Sequence, residues 1–156
     1  MLKKVISGGQ CGADQAGLKA AKDYGFRTGG WAPKGWKTKE GKRPTLLKSY
    51  GLKEHSGSYR ERTFANVEDS DATIRLAINF NSPGERCTMN AIKNFSKLSL
   101  DVQLRTPQDY LIVANWITNN QIEILNIAGN SQYKSYDVFR ETYRYLYRVF
   151  GLLVLN

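Results

Sequence analysis

A mostly parallel α/β sheet with helices on both faces is the fold class this chain predicts. Short apolar runs alternate with helix-like segments along its whole length. Polar, glycine-containing turns follow three of those runs, at Ser7, Asn81 and Gly129. No repeat, linker or break in composition divides the sequence, and 156 residues suit a single domain, 1–156, with a core of ordinary size.

Lys3 to Ile6 is the first predicted strand, and Asp14 to Tyr24 the first helix, ended by Gly25. Its Ala16, Gly17, Ala20 and Ala21 permit close packing on a sheet. Phe26 to Lys53 is rich in Gly, Lys and Pro and shows no clear period; such lengths are usually functional or mobile. Tyr59 to Asp69 reads as a helix, Ala72 to Phe80 as a buried strand, Asn81 to Thr88 as a turn and Thr88 to Lys97 as a helix. Leu100 to Leu104 is a strand. Pro107 opens a helix that runs to about Asn119, with proline in its first turn. Ile122 to Ala128 is a strand and Asp137 to Phe150 the last helix; Gly151 to Asn156 reads as a final short strand. In open α/β sheets ligands bind beyond the carboxyl ends of the strands, so the three polar turns should gather at one edge.

The chain carries 23 Lys and Arg against 14 Asp and Glu, a formal charge of +9 that draws anions: nucleotides, nucleic acid or acidic surfaces. The densest patch, Lys34 to Lys48, reads equally as a solvated loop or a binding surface, and Arg140, Arg144 and Arg148 read as a solvated helix face. No stretch has the length of a membrane span and the N-terminus lacks a signal-peptide pattern. Two cysteines, Cys11 and Cys87, make no disulfide framework, so a reducing, cytoplasmic setting is expected. With His55 as the single histidine, no His-based metal cluster is available.

Ser7-Gly8-Gly9-Gln10-Cys11-Gly12-Ala13-Asp14 is the strongest site signal. Glycines between a strand and a helix let the backbone approach a ligand, and free amides at a helix N-terminus favour an anion. Cys11, near that N-terminus, should have a lowered pKa. In the second turn Ser82, Gly84 and the amides near Thr88 are candidates for an oxyanion, with Arg86 adding a charge-assisted contact. Arg62, Asn66 and Asp69 share a helix face with Tyr59 one turn earlier, in a set that serves either structural anchoring or ligand contact. Trp31 and Lys34, in Gly29-Gly30-Trp31-Ala32-Pro33-Lys34-Gly35, are placed to stack on a planar ring and meet a phosphate, unless the tryptophan simply rigidifies the loop.

Four segments, Ser7-Gly8-Gly9-Gln10-x-Gly12-Ala13-Asp14, Gly29-Gly30-Trp31-x-Pro33-Lys34-Gly35, Tyr59-x-x-Arg62-Thr63-x-x-Asn66-Val67-x-Asp69-Ser70-Asp71-Ala72-Thr73 and Asn126-Ile127-Ala128-Gly129, together resemble the molybdenum-cofactor carrier family. It is also described as a circularly permuted YpsA-type branch of the SLOG superfamily, which includes Lonely Guy cytokinin-activating enzymes and DprA proteins. The resemblance implies a Rossmann-like sheet, a pocket for a phosphorylated, ring-bearing molecule and a homo-oligomer, dimer or tetramer. It also implies molybdenum cofactor or a nucleotide derivative as ligand. One departure bears on chemistry. Lonely Guy enzymes carry Pro-Gly-Gly-x-Gly-Thr-x-x-Glu; aligned on Pro83 and Thr88, this chain has Glu85 and Cys87 for glycines and Ala91 for the glutamate.

The expected function is therefore a binding protein for a phosphorylated nucleotide-like or pterin ligand, as carrier or as sequestering protein for a signal such as an ADP-ribose derivative. Its site would comprise Ser7, Gly8, Gly9, Gln10, Gly12, Asp14, Trp31, Lys34, Arg62, Asn66, Ser82, Gly84, Arg86, Thr88 and Gly129, without a metal. The alternatives are a nucleotide N-glycoside hydrolase of Lonely Guy type, with Asp14, Glu85 or Asp69 as acid or base, and a basic nucleic-acid-associated protein.

Overall fold

The computed structural model describes residues 1–155. Six strands form one parallel sheet: β1 (Lys4–Ile6), β2 (Arg27–Ala32), β5 (Leu52–Glu54), β6 (Ala72–Ala77), β7 (Leu98–Gln103) and β8 (Ile124–Gly129). Their order is β5-β2-β1-β8-β6-β7, and β3 (Lys37–Thr38) with β4 (Gly41–Lys42) forms a separate antiparallel ribbon. From β1 the chain builds outward through β2 and β5. It then crosses to β6 and β7 and returns to insert β8 between the halves. This is a Rossmann-like α/β domain with its switch point at β8.

The helices are α1 (Ala13–Asp23), α2 (Pro44–Ser49), α3 (Tyr59–Glu68), α4 (Pro83–Phe95), α5 (Tyr110–Asn119) and α6 (Val138–Leu155). Period-two alternation sends neighbouring residues of each strand to opposite faces. Val5, Ile74, Leu76, Leu125 and Ile127 join the core under α1, α5 and α6. On the other face Val67, Ala91 and Ile92 knit α3 to α4. The small residues of α1 serve close approach: a Cβ at Gly17 would sit 2.6 Å from Ile127 Cγ2. None of the described helices is long and apolar enough to cross a membrane.

Several boundaries differ from the sequence expectation. Helix α5 begins at Tyr110, capped by Asp109 accepting from Leu111 N, so Pro107 lies ahead of the helix and not in its first turn. Strand β6 ends at Ala77, short of Phe80. The stretch from Phe26 to Lys53 is not irregular: it holds β2, the ribbon, α2 and β5. Arg27-Thr-Gly-Gly-Trp-Ala lacks alternation, and its extended form depends on pairing between β1 and β5. Helix α4 begins at Pro83 rather than Thr88, because Ser82 caps it by accepting from Glu85 N, with proline at the first position. Gly151 to Leu155 continues α6 instead of forming a strand, since Leu152 and Leu153 pack against the core. Asn156, the end of that expected strand, lies outside the described residues.

Candidate functional site

A cavity of about 580 Å³ opens beyond the carboxyl ends of β1, β6 and β8, on the face covered by α3 and α4. The loop after β1 supplies Gly8 and Gln10 and the start of α1 Asp14; the loop after β6 supplies Ser82 and the start of α4 Gly84; β8 runs into it through Asn126 and Gly129. The three polar turns thus converge at the switch point, where strand order reverses and a crevice opens. Gly129 has φ 150°, and a side chain there would collide with the Leu76 carbonyl, so only glycine lets β8 leave the sheet at this point.

One wall is an ion pair taken out of water. Arg62 on α3 is 8% exposed and Asp14 on α1 5%, with Arg62 Nη1 3.7 Å from Asp14 Oδ2. The guanidinium lies against Gly8, where any Cβ would run into it. It also stands over the Tyr59 ring, 5.1 Å from the centroid. Its Nε has no hydrogen-bond partner among the described residues. Burial pushes the Asp14 carboxyl up to about 6, against the opposing pull of Arg62 and the Gln10 N–H bond to Oδ2 (3.1 Å). Gln10 ties the mouth together: Nε2 donates to the Tyr59 hydroxyl (2.9 Å), and Oε1 accepts from the backbone N–H groups of Cys11 and Lys39. This last bond draws the basic β3–β4 ribbon to the rim, where Lys39 and Arg60 join the lining.

The opposite wall is the start of α4. Glu85, 3% exposed, accepts from Asn130 Nδ2 (2.8 Å) and from the Ser82 hydroxyl. Asn130 also accepts through Oδ1 from the N–H groups of Ile78 and Asn79, so one carboxamide binds the ends of β6 and β8 to α4. Arg75 donates to the Glu85 carbonyl (3.0 Å) and pairs in two-pronged fashion with Asp101. Thr88 lies one turn inside α4, facing the cavity, with its hydroxyl bonded back to Gly84 O.

The remaining predicted site residues stand off the cavity lining. Ser7 is fully buried and braces its own loop, donating to Asp14 O and accepting from Gly9 N. Gly9 packs on Leu47 and Leu52, and Gly12 against the backbone of Asn130 to Gln132. Trp31 is held by Asn66, whose carboxamide accepts from Trp31 N (2.8 Å) and donates to Trp31 O (3.0 Å), while Trp31 Nε1 donates to Asp69. That makes Trp31 part of a strut between β2 and α3; Asn66 itself reaches the lining. Lys34 borders a separate depression with Lys37 and Tyr59. Arg86 is exposed and lies outside the lining, because it falls within α4, whose inner face at this end carries Glu85 and Thr88. Burial raises the Cys11 pKa instead of lowering it: the thiol is covered and donates to Gln10 Oε1 (3.3 Å). Ala91, at the position of the Lonely Guy glutamate, is wholly buried between α3 and α4. Among the described residues no three His, Cys, Asp or Glu side chains converge as a metal-ligand set.

Asn126, Asn130, Lys39, Arg60 and Thr63 line the cavity without having been named as candidate site residues, although Thr63 and Asn126 stand in the quoted motifs. Asn126 had a readable signal, a lone carboxamide inside an apolar strand. Lys39 and Arg60 had none: Lys39 is placed by a bond between distant loops and Arg60 by the docking of α3.

A parallel sheet with a crevice at its switch point, lined by glycine turns and a buried arginine, defines a Rossmann-like fold. Residues 5–150 match the model of the circularly permutated YpsA SLOG family, and the chain belongs to that family. A crystal structure of the "Putative molybdenum carrier protein" from Syntrophus aciditrophicus SB is 33% identical, covers 96% of this chain and 94% of that one, and superposes with a TM-score of 0.83. A second structure, "AtPrR2 in apo form", is 18% identical over 84% of this chain and 49% of that one, with a TM-score of 0.49. No curated protein matches.

Proposed function

We propose that the protein binds a phosphorylated, ring-bearing small molecule in this cavity. A pterin phosphate such as molybdenum cofactor and a nucleotide-like molecule are the two candidate classes. The observation that supports this best is Arg62: a guanidinium more than nine-tenths buried, on the cavity wall, with an unpaired Nε and its carboxylate partner beyond hydrogen-bond range. Such a group gains most from an oxyanion that completes its bonds. The start of α4 faces it across the cavity, the partial positive charge of its N-terminus offset by the Glu85 carboxylate. The volume lies within the usual range for small-molecule sites.

The first test is calorimetry with nucleoside monophosphates and pterin phosphates. Arg62→Ala should weaken binding of the tightest ligand by roughly 1.5–3 kcal/mol. Gly8→Val should weaken it as well, by driving the guanidinium from its slot, whereas Arg86→Ala should leave it unchanged. A ligand that binds Arg62→Ala and wild type equally would sink this reading.

One observation favours a hydrolase as second reading. Asp14, raised to about 6, sits on the cavity wall with Glu85 among the charges acting on it. That is the kind of carboxyl able to act as a general acid near neutrality. Chromatography of the same mixtures decides it: free base released at enzyme-like rates, and lost in Asp14→Asn, would replace binding with N-glycoside hydrolysis.

A further inference from the structure

The floor of the cavity holds a polar side chain where the strand pattern calls for an apolar one. Asn126 lies on β8 between Leu125 and Ile127, whose side chains enter the core on the opposite face. It is 3% exposed and lines the cavity. Beside it in register on β6 is Thr73, fully buried. Asn126 Nδ2 donates to Thr73 Oγ1 (3.1 Å). Asn126 Oδ1 accepts no hydrogen bond from any described residue. A carboxamide buried in a sheet costs free energy unless its polar atoms are paired, so half of this group is bonded and half is left for a guest.

The neighbours say what that guest presents. The charged groups stand at the two walls and the rim: Arg62 and Asp14 toward α3 and α1, Glu85 at the start of α4, Lys39 and Arg60 at the mouth. Between them the floor is neutral. In this arrangement the amide nitrogen faces Thr73 on β6 and the carbonyl oxygen is left as a single uncharged acceptor. We propose that Asn126 determines specificity for the ring of the ligand, its Oδ1 accepting from an amino group or ring N–H of a heterocycle. This rests on the phosphorylated-ring reading above, with the phosphate toward Arg62. A ring bearing an amino group pairs the oxygen. A ring with C–H at that place leaves it unpaired, and a ring carbonyl sets two acceptors against each other.

Two probe pairs differ in one amino group: AMP with purine riboside 5′-monophosphate, and GMP with IMP. Calorimetry on the wild-type protein should show a preference of roughly tenfold for the amino-bearing member of at least one pair. Asn126→Leu, close in volume, should bring that pair to within about threefold while ribose 5-phosphate binds as before. Thr73→Val should keep binding and lose part of the preference, because the amide is then free to turn. It serves as the deciding variant if thermal melting shows that Asn126→Leu does not fold. Equal affinity within both wild-type pairs, or a preference unchanged in the variants, overturns the inference. If the wild type binds all four probes without discrimination, the phosphorylated-ring reading stands and only the role of Asn126 falls. If it binds neither these probes nor ribose 5-phosphate, both fall together.

Discussion

Asp14 shows how one residue sets both the site and its cost. Folding buries its carboxyl beside Arg62 and raises its pKa from 3.8 to about 6. An acid whose folded value exceeds its unfolded value opposes folding once ionised. No penalty exists below the unfolded value, where both states are protonated; it grows between about pH 4 and pH 6 and is complete above that. A rise of this size corresponds to about 3 kcal/mol. Asp14→Asn should therefore match the wild type near pH 4 and be the more stable protein at pH 7. Denaturant midpoints across that range check it, and a constant difference would mean that Asp14 is not the titrating group. The same burial explains why Asp14 was visible in the sequence but its pKa was not: the glycine turn marks the position, while Arg62, Gln10 and Glu85 arrive from elsewhere in the chain.

At the scale of elements, α3 buries two polar side chains for one apolar one. Its capping box, Ser58 with Glu61, starts it locally, yet its inward residues are Arg62, Asn66 and Val67. Beside the apolar contact of Val67 with α4, it is docked by the strut to β2, in which Asn66 satisfies both backbone groups of Trp31 and Asp69 takes the indole N–H. Asn66→Ala leaves the Trp31 N–H and carbonyl unpaired, and should cost roughly 1–3 kcal/mol by denaturant unfolding. A loss within about 0.5 kcal/mol, the range of ordinary surface changes, would refute the strut. This interaction accounts for the missed strand as well. Two glycines and no alternation make β2 a poor strand by local pattern, and it is held by β1, β5 and α3. Strand β6 and helix α1 were legible for the opposite reason: their apolar runs are continuous or patterned enough to announce their burial.

Across the whole molecule the charge of +9 is spread widely, and only part of it reaches the cavity. Lys39 and Arg60 stand at the rim, exposed, whereas Arg62 is buried within. Salt screens exposed charges far more than buried ones. Affinity for a nucleoside monophosphate should fall several-fold between about 0.05 M and 0.5 M KCl and then level off, as the screened rim leaves the Arg62 contact in place. The double variant Lys39→Ala/Arg60→Ala should flatten the slope. An unaltered slope in that variant would place the steering charge elsewhere on the surface.

Alternation of apolar runs and helix patterns was enough to determine the fold class, because the period of a strand or helix is a property of consecutive residues. The glycine turns fixed where three loops would meet, since strands of a parallel sheet all end on one side. Which charge faces the cavity was decided only in three dimensions. Arg62 and Arg86 look equivalent in the chain, yet Arg86 falls outside the inner face of α4, which carries Glu85 and Thr88, while the gap at Gly8 admits Arg62. The insertion of β8 between the halves is likewise a tertiary outcome. It places Asn126 under the cavity by pairing with β1 and β6, strands from distant parts of the chain, and no local signal encodes that neighbourhood.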